Sequence, residues 1–182
     1  MNMPTLRRFS PFKGAWPKPE IVLATVVLFL GGGLARAEVK AGDIFPVLGA
    51  TGLEGAVPET RGKVVLVDFW ASWCAPCKAS FPIYAKIDAD YRARGLVVFA
   101  VSVDEKDSAY QSFVKKLAPP FAVARDGGQK LVREVSVPTM PTSYLIDRTG
   151  RVRFVHPGFH GAETEAEVRK EIATLLAEPA SP

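Results

Sequence analysis

The chain has 182 residues, 48% of them apolar, which suffices for one compact domain with a sizeable core and leaves two domains cramped. Its formal net charge of +4, from 23 basic and 19 acidic residues, is unevenly placed: Arg7, Arg8, Lys13, Lys18 and Arg36 face only Glu20 before residue 38, so 18 residues of each sign remain from Glu38 onward. A formally neutral domain excludes an electrostatic case for nucleic acid or a phosphate-rich ligand.

Residues 21–35 (IVLATVVLFLGGGLA) follow the basic stretch as an apolar run, and Ala35-Arg36-Ala37 then supplies the small-residue spacing of a signal-peptide cleavage site. As a helix the run would span about 22 Å, short of the roughly 30 Å hydrocarbon core, and Gly31, Gly32 and Gly33 weaken its end. The expected organisation is a signal peptide over residues 1–37, cleaved after Ala37 in preference to retention as an anchor, a domain over 38–178 and a disordered tail over 179–182. Arg7-Arg8 suggests the twin-arginine route, but Ser10 and Pro11 stand where that signal turns apolar. Export would place the mature chain in the periplasm or on the outer face of the cytoplasmic membrane, where disulfides persist and thiol chemistry needs dedicated enzymes.

Residues 64–70 (VVLVDFW) read as a buried strand, and Cys74-Ala75-Pro76-Cys77 follows where a helix should begin, with Phe81, Tyr84, Ile87 and Tyr91 at helical spacing. Residues 96–103 (LVVFAVSV) form a second buried strand. A helix over 108–117 then carries an apolar stripe of Tyr110, Phe113, Val114 and Leu117, completing a βαβα alternation. A short strand over 121–124 and a short helix over 129–134 are expected next. Two strands, 142–146 and 152–155, are joined by Asp147-Arg148-Thr149-Gly150 as a hairpin. Last, Thr164-Glu165-Ala166-Glu167 reads as a capping box for a helix that buries Val168, Ile172, Leu175 and Leu176.

The chain contains only two cysteines. A disulfide closing a two-residue loop restricts the unfolded chain little, so Cys74 and Cys77 read as a reactive pair and not as a staple. At a helix N-terminus, free N–H groups and the macrodipole favour the Cys74 thiolate, which makes Cys74 the attacking nucleophile. Cys77, one turn further in, suits the resolving role. Pro76 fits the first turn, where a missing N–H costs little. Lys78 either adds positive potential or is a solvated helix residue. Asp68, an acid within an apolar strand, is either a satisfied structural group or a proton carrier whose pKa burial raises.

The segment Val67-Asp68-Phe69-Trp70-Ala71-Ser72-Trp73-Cys74-Ala75-Pro76-Cys77-Lys78, with Pro82 and Pro141-Thr142, resembles the active-site segment and cis-proline loop of thioredoxins. The leader, the residues before that loop and Pro141-Thr142-Ser143-Tyr144-Leu145-Ile146-Asp147 with Gly150 are more similar to the extracytoplasmic TlpA/ResA branch. The likeness spans residues 43–176. It implies an α/β thioredoxin fold, a central mixed sheet flanked by helices, with an N-terminal extension and an insertion before the cis-Pro strand.

By that resemblance Asp68 exchanges protons with Cys77, and Met140-Pro141 is a cis bond beside the disulfide, its backbone pairing with an extended substrate. Unaided, an X-Pro bond is expected to be trans. Trp73, Pro76, Met140 and Pro141 are the candidate substrate-docking residues, whereas Trp70 is expected to pack in the core. Several members of the branch carry a glutamate where this chain has Ser80, so no proton-handling role transfers to that position.

The implied activity is thiol-disulfide exchange, in the direction of a protein-disulfide reductase, because Ala75-Pro76 adds no charge between the cysteines and strong oxidants of this fold tend to have a histidine there. A membrane electron donor would re-reduce the protein. Exported cysteine-containing proteins would be its clients, apocytochromes among them. A monomer needing no cofactor and no metal is expected. The alternatives are a thiol oxidase or isomerase, or a copper metallochaperone using Cys74, Cys77 and a histidine. Against metal, 78 residues separate Cys77 from His156, and His156 and His160 flank Pro157-Gly158 in an expected loop. Lys78 stands where haem attachment needs histidine, and no peroxidase-type threonine and proline pattern surrounds Cys74.

Overall fold

A computed structural model describes residues 38–179; the leader expected over 1–37 and the last three residues of the expected tail lie outside the described residues. In chain order the elements are β1 (Glu54–Gly55), β2 (Val64–Trp70), α1 (Ala75–Tyr91), β3 (Leu96–Ser102), α2 (Asp107–Leu117), β4 (Ala122–Arg125), α3 (Lys130–Val135), β5 (Thr142–Ile146), β6 (Val152–Pro157) and α4 (Ala162–Ala177). They build one mixed sheet in the order β1-β4-β3-β2-β5-β6. The β2/β3 and β3/β4 pairs are parallel, and the rest are antiparallel.

β2 is the central strand, and all seven of its residues are buried, as expected of an apolar run covered on both faces. The two-residue period of a strand divides it. Val64, Leu66 and Trp70 join Phe81, Tyr84 and Ile87 of α1, Phe113 of α2 and Val168, Ile172 and Leu175 of α4 in one core layer. Val65, Val67 and Phe69 join Leu131 and Val135 of α3, with Phe45 and Leu48 from the segment before β1, in the other. Two right-handed crossovers that step the same way across the sheet put α1 and α2 on one face. The segment ahead of β2 covers the opposite face, and α2, β4 and α3 separate β3 from the cis-proline strand β5, as the thioredoxin-like architecture implied.

Two expectations require correction. The last helix starts at Ala162, before the supposed capping box, because Gly161 at φ 67° turns the chain into it. Thr164 therefore lies inside the first turn, where its Oγ1 accepts the His160 N–H at 2.9 Å. The hairpin's second strand continues past residue 155 to Pro157, so His156 lies in β6 and not in a loop. Its Nε2 is 2.6 Å from Glu171 Oε2 of α4, so it is no ordinary surface group. Among the described residues, no helix is long and apolar enough to cross a membrane.

Candidate active site

β2 runs into Ala71-Ser72-Trp73, and Cys74 caps α1 with an extended backbone, φ −84° and ψ 110°. The Cys74 N–H donates to Ala71 O at 3.1 Å, which turns the chain into the helix. Cys74 Sγ accepts the Cys77 N–H at 3.2 Å, as an N-cap side chain does. Cys74 and Cys77 are joined by a disulfide with a Cα–Cα distance of 5.3 Å. Exposure is asymmetric: Cys74 keeps 4% of its surface and Cys77 none. A thiolate approaching from outside therefore reaches the bond at Cys74, and Cys77 is the sulfur that leaves. Trp73, 70% exposed, and the exposed Ala75 and Pro76 surround the approach.

The loop ahead of Cys74 is held by a residue that the pattern of apolar runs did not single out. Asp104, just past β3 and 3% exposed, accepts the Ser72 N–H on both carboxylate oxygens (3.2 and 3.0 Å), the Ser72 hydroxyl at 2.9 Å and the Ser102 hydroxyl at 2.8 Å. Val103 N–H, donating to Trp70 O at 2.8 Å, continues the β2/β3 ladder beside it. Cys74 is thus positioned by a strand end on one side and by a carboxylate on the other.

Asp68 has no exposed surface, and strand alternation puts it on the sheet face that α1 covers, with Leu66 and Trp70. Its Oδ1 accepts the Ser143 hydroxyl at 2.8 Å, and its Oδ2 has no partner among the described residues. Burial pushes the carboxyl up to about 7, against the downward pull of the Ser143 hydrogen bond. Ser143 Oγ also lies 2.7 Å from the phenol oxygen of Tyr84, seven residues beyond Cys77 on the same helix face. Tyr84 stood out in the sequence only as an apolar position, and Ser143 only as a strand residue.

The Met140–Pro141 peptide bond is cis. β5 pairs with β2 in the register Phe69↔Thr142, so Pro141 enters the sheet at the end where Ala71 leaves it. Pro141 is buried, its carbonyl accepting the Gly158 N–H at 2.7 Å. Half-buried Met140 packs against the core layer that holds both cysteines. Trp70 is fully buried, its ring 4.4 Å from that of Phe113 and 5.0 Å from that of Phe81, which makes it a packing residue. Lys78 is a solvated helix residue, and buried Ser80 donates to Cys77 O at 2.9 Å. Among the described residues, no group of three or more His, Cys, Asp or Glu side chains is arranged to hold a metal ion.

The Redoxin family profile matches residues 42–172. The chain is 34% identical over 128 residues to Thiol-disulfide oxidoreductase ResA of Bacillus thuringiensis (strain Al Hakam), covering 69% of this chain and 74% of that one. It is 25% identical over 143 residues to Thiol-disulfide oxidoreductase ResA of Geobacillus kaustophilus (strain HTA426), covering 77% and 80%. A solved Chlorobium tepidum protein described as a thiol:disulfide interchange protein DsbE superposes with a TM-score of 0.71 at 35% identity, over 77% of this chain and 100% of its own.

Proposed function

This chain belongs to the Redoxin family and is a thiol-disulfide oxidoreductase; from that premise we propose that it is an exported disulfide reductase acting on extracytoplasmic cysteine proteins. The carrying observation is a disulfide at a helix N-terminus with Cys74 at the surface and Cys77 beneath it. In the reduced protein the Cys74 thiolate attacks a client disulfide, releasing one client thiolate and forming a mixed disulfide. Cys77 then loses its proton to Asp68 and attacks the Cys74 sulfur, which closes the internal disulfide and frees the second client thiolate. A membrane dithiol donor reverses the internal oxidation by attacking Cys74. Trp73, Pro76 and the Met140–Pro141 backbone form the client-docking surface, where an extended segment pairs with main-chain groups.

Two features support the reducing direction. Ala75-Pro76 places no charge between the cysteines to stabilise the dithiol form further, and the active-site and cis-proline segments resemble the TlpA/ResA branch, a resemblance that implies a reductase. Apocytochromes with a Cys-x-x-Cys pair are the client class that this reading favours, and residues 1–37 would direct export. Equilibration of the Cys74/Cys77 couple with a thiol redox buffer tests the direction. A potential in the range of thioredoxin, about −270 mV, supports a reductase, whereas one near about −120 mV would make the protein an oxidant. Export is tested by fusing residues 1–37 to a reporter that is active only outside the cytoplasm. An inactive fusion would overturn that part.

A further inference from the structure

Beneath α1, three buried side chains form a hydrogen-bonded row that stops at an unpaired oxygen. Tyr84 Oη lies 2.7 Å from Ser143 Oγ, which lies 2.8 Å from Asp68 Oδ1, while Asp68 Oδ2 has no partner among the described residues. The direction of the row follows from the valence of each group. With Asp68 ionised, its oxygens only accept, so the single Ser143 hydrogen is then committed to Oδ1. The Tyr84 contact must then run from phenol to serine. Burial raises the Tyr84 pKa above its ordinary value, with the Asp68 charge acting the same way, so the phenol keeps the hydrogen that it gives to Ser143 while Asp68 is ionised.

We propose that Tyr84 and Ser143 are positioning residues that hold Asp68 Oδ1 as a permanent acceptor and leave Oδ2 as the one oxygen that takes the proton of Cys77 during resolution. This rests on the role given to Asp68 above. In that step the Cys77 S–H bond breaks, the proton moves to Oδ2, and the Cys77 sulfur attacks Cys74. The Cys74–Cys77 bond forms, the bond from Cys74 to the client breaks, and the client sulfur leaves with the electron pair as a thiolate. The dithiol is oxidised by two electrons and the client disulfide is reduced by the same two. With Oδ1 occupied in both protonation states, the carboxyl need not reorient between turnovers.

On this face of the sheet the titratable groups include Cys77, Tyr84, Tyr91 and buried Asp88 of α1, the last paired with Arg92, Tyr110 of α2, and His156 of β6 with Glu167 and Glu171 of α4. β3 contributes none beside Asp68, its register partner there being Ala100.

The test is a rapid-quench measurement of mixed-disulfide decay between reduced full-length protein and a peptide disulfide, across pH 5.5 to 9. The attack step is followed separately in a Cys77→Ser background. In the parent, resolution should rise with pH around a midpoint that burial of Asp68 holds above the ordinary carboxylate range. Ser143→Ala removes a hydrogen bond that favours the ionised carboxyl, so the midpoint should move up by about one pH unit. Tyr84→Phe, which keeps the ring, should move it the same way by less, and neither should alter attack by Cys74. His156→Gln should leave the midpoint in place. An unmoved midpoint in both Ser143→Ala and Tyr84→Phe overturns the proposal, as does a larger shift in His156→Gln. Asp68→Asn separates the two levels: if it resolves at the parent rate with the parent pH profile, the role of Asp68 itself fails. If Asp68→Asn is slow while the hydroxyl variants keep the parent midpoint, only the positioning role fails.

Discussion

Asp104 is 3% exposed and accepts three donors, one shared between its two oxygens, whereas Asp68, with no exposure at all, accepts one. Asp68 lies in β2, the strand that leads into the redox pair, and Asp104 just past its neighbour β3. The difference separates two uses of a buried carboxyl. A fully partnered one holds geometry, because every lone pair lost to water is replaced by a hydrogen bond. A half-partnered one keeps an oxygen free and so responds to pH, because desolvation penalises its charge without full compensation.

Stability measured against pH tests that contrast, and its largest expected effect is at Asp68. Its folded pKa of about 7 lies above the ordinary 3.8, so between these values the folded state holds a proton that the unfolded state has released. Stability therefore falls as pH rises through that window and levels off above it, by up to about 4 kcal/mol from this group. Asp68→Asn should lose that component: denaturant titrations of the oxidised protein at pH 4 and pH 8 should differ less for the variant than for the parent. An equal pH dependence would show that the carboxyl is not held protonated by burial.

Asp104→Ala should act in the opposite sense, costing about 3 kcal/mol because the Ser72 and Ser102 donors lose their acceptor. Unfolding midpoints check this, and a change within about 0.5 kcal/mol would remove Asp104 as the clamp of the active-site loop. The smallest effect belongs to Ser72→Ala, about 1 kcal/mol, since the backbone N–H of residue 72 still reaches Asp104. A loss as large as that of Asp104→Ala would mean that the hydroxyl, and not the carboxylate as a whole, holds the loop.

The same contrast marks what could be read from the chain alone. Cys74, Cys77, the strand carrying Asp68 and the helix beginning at Ala75 announce themselves within one short stretch, residues 64–77, through spacing and apolar runs. The hydroxyl row does not, because Ser143 is 59 residues from Tyr84 and 75 from Asp68, and meets them only through the β2/β5 register. The Asp104 clamp closes over 32 residues in the same way. β1 is two residues long and left no periodicity to detect. Thr164 with Glu167 satisfies the capping-box pattern and so points to a later start for α4, while the turn into the helix is made earlier by a glycine. Pro157-Gly158 looks like a turn and so suggests a loop for His156, whereas the partner that fixes it, Glu171, lies on another element.

The division of labour between the two sulfurs is tested most directly by trapping. Reduced Cys77→Ser and Cys74→Ser proteins are each mixed with a disulfide-bonded peptide, quenched with acid and mapped by mass spectrometry. Cys77→Ser should accumulate a stable peptide adduct on Cys74, and Cys74→Ser should accumulate almost none. An adduct forming on Cys77 at a comparable rate would contradict the account.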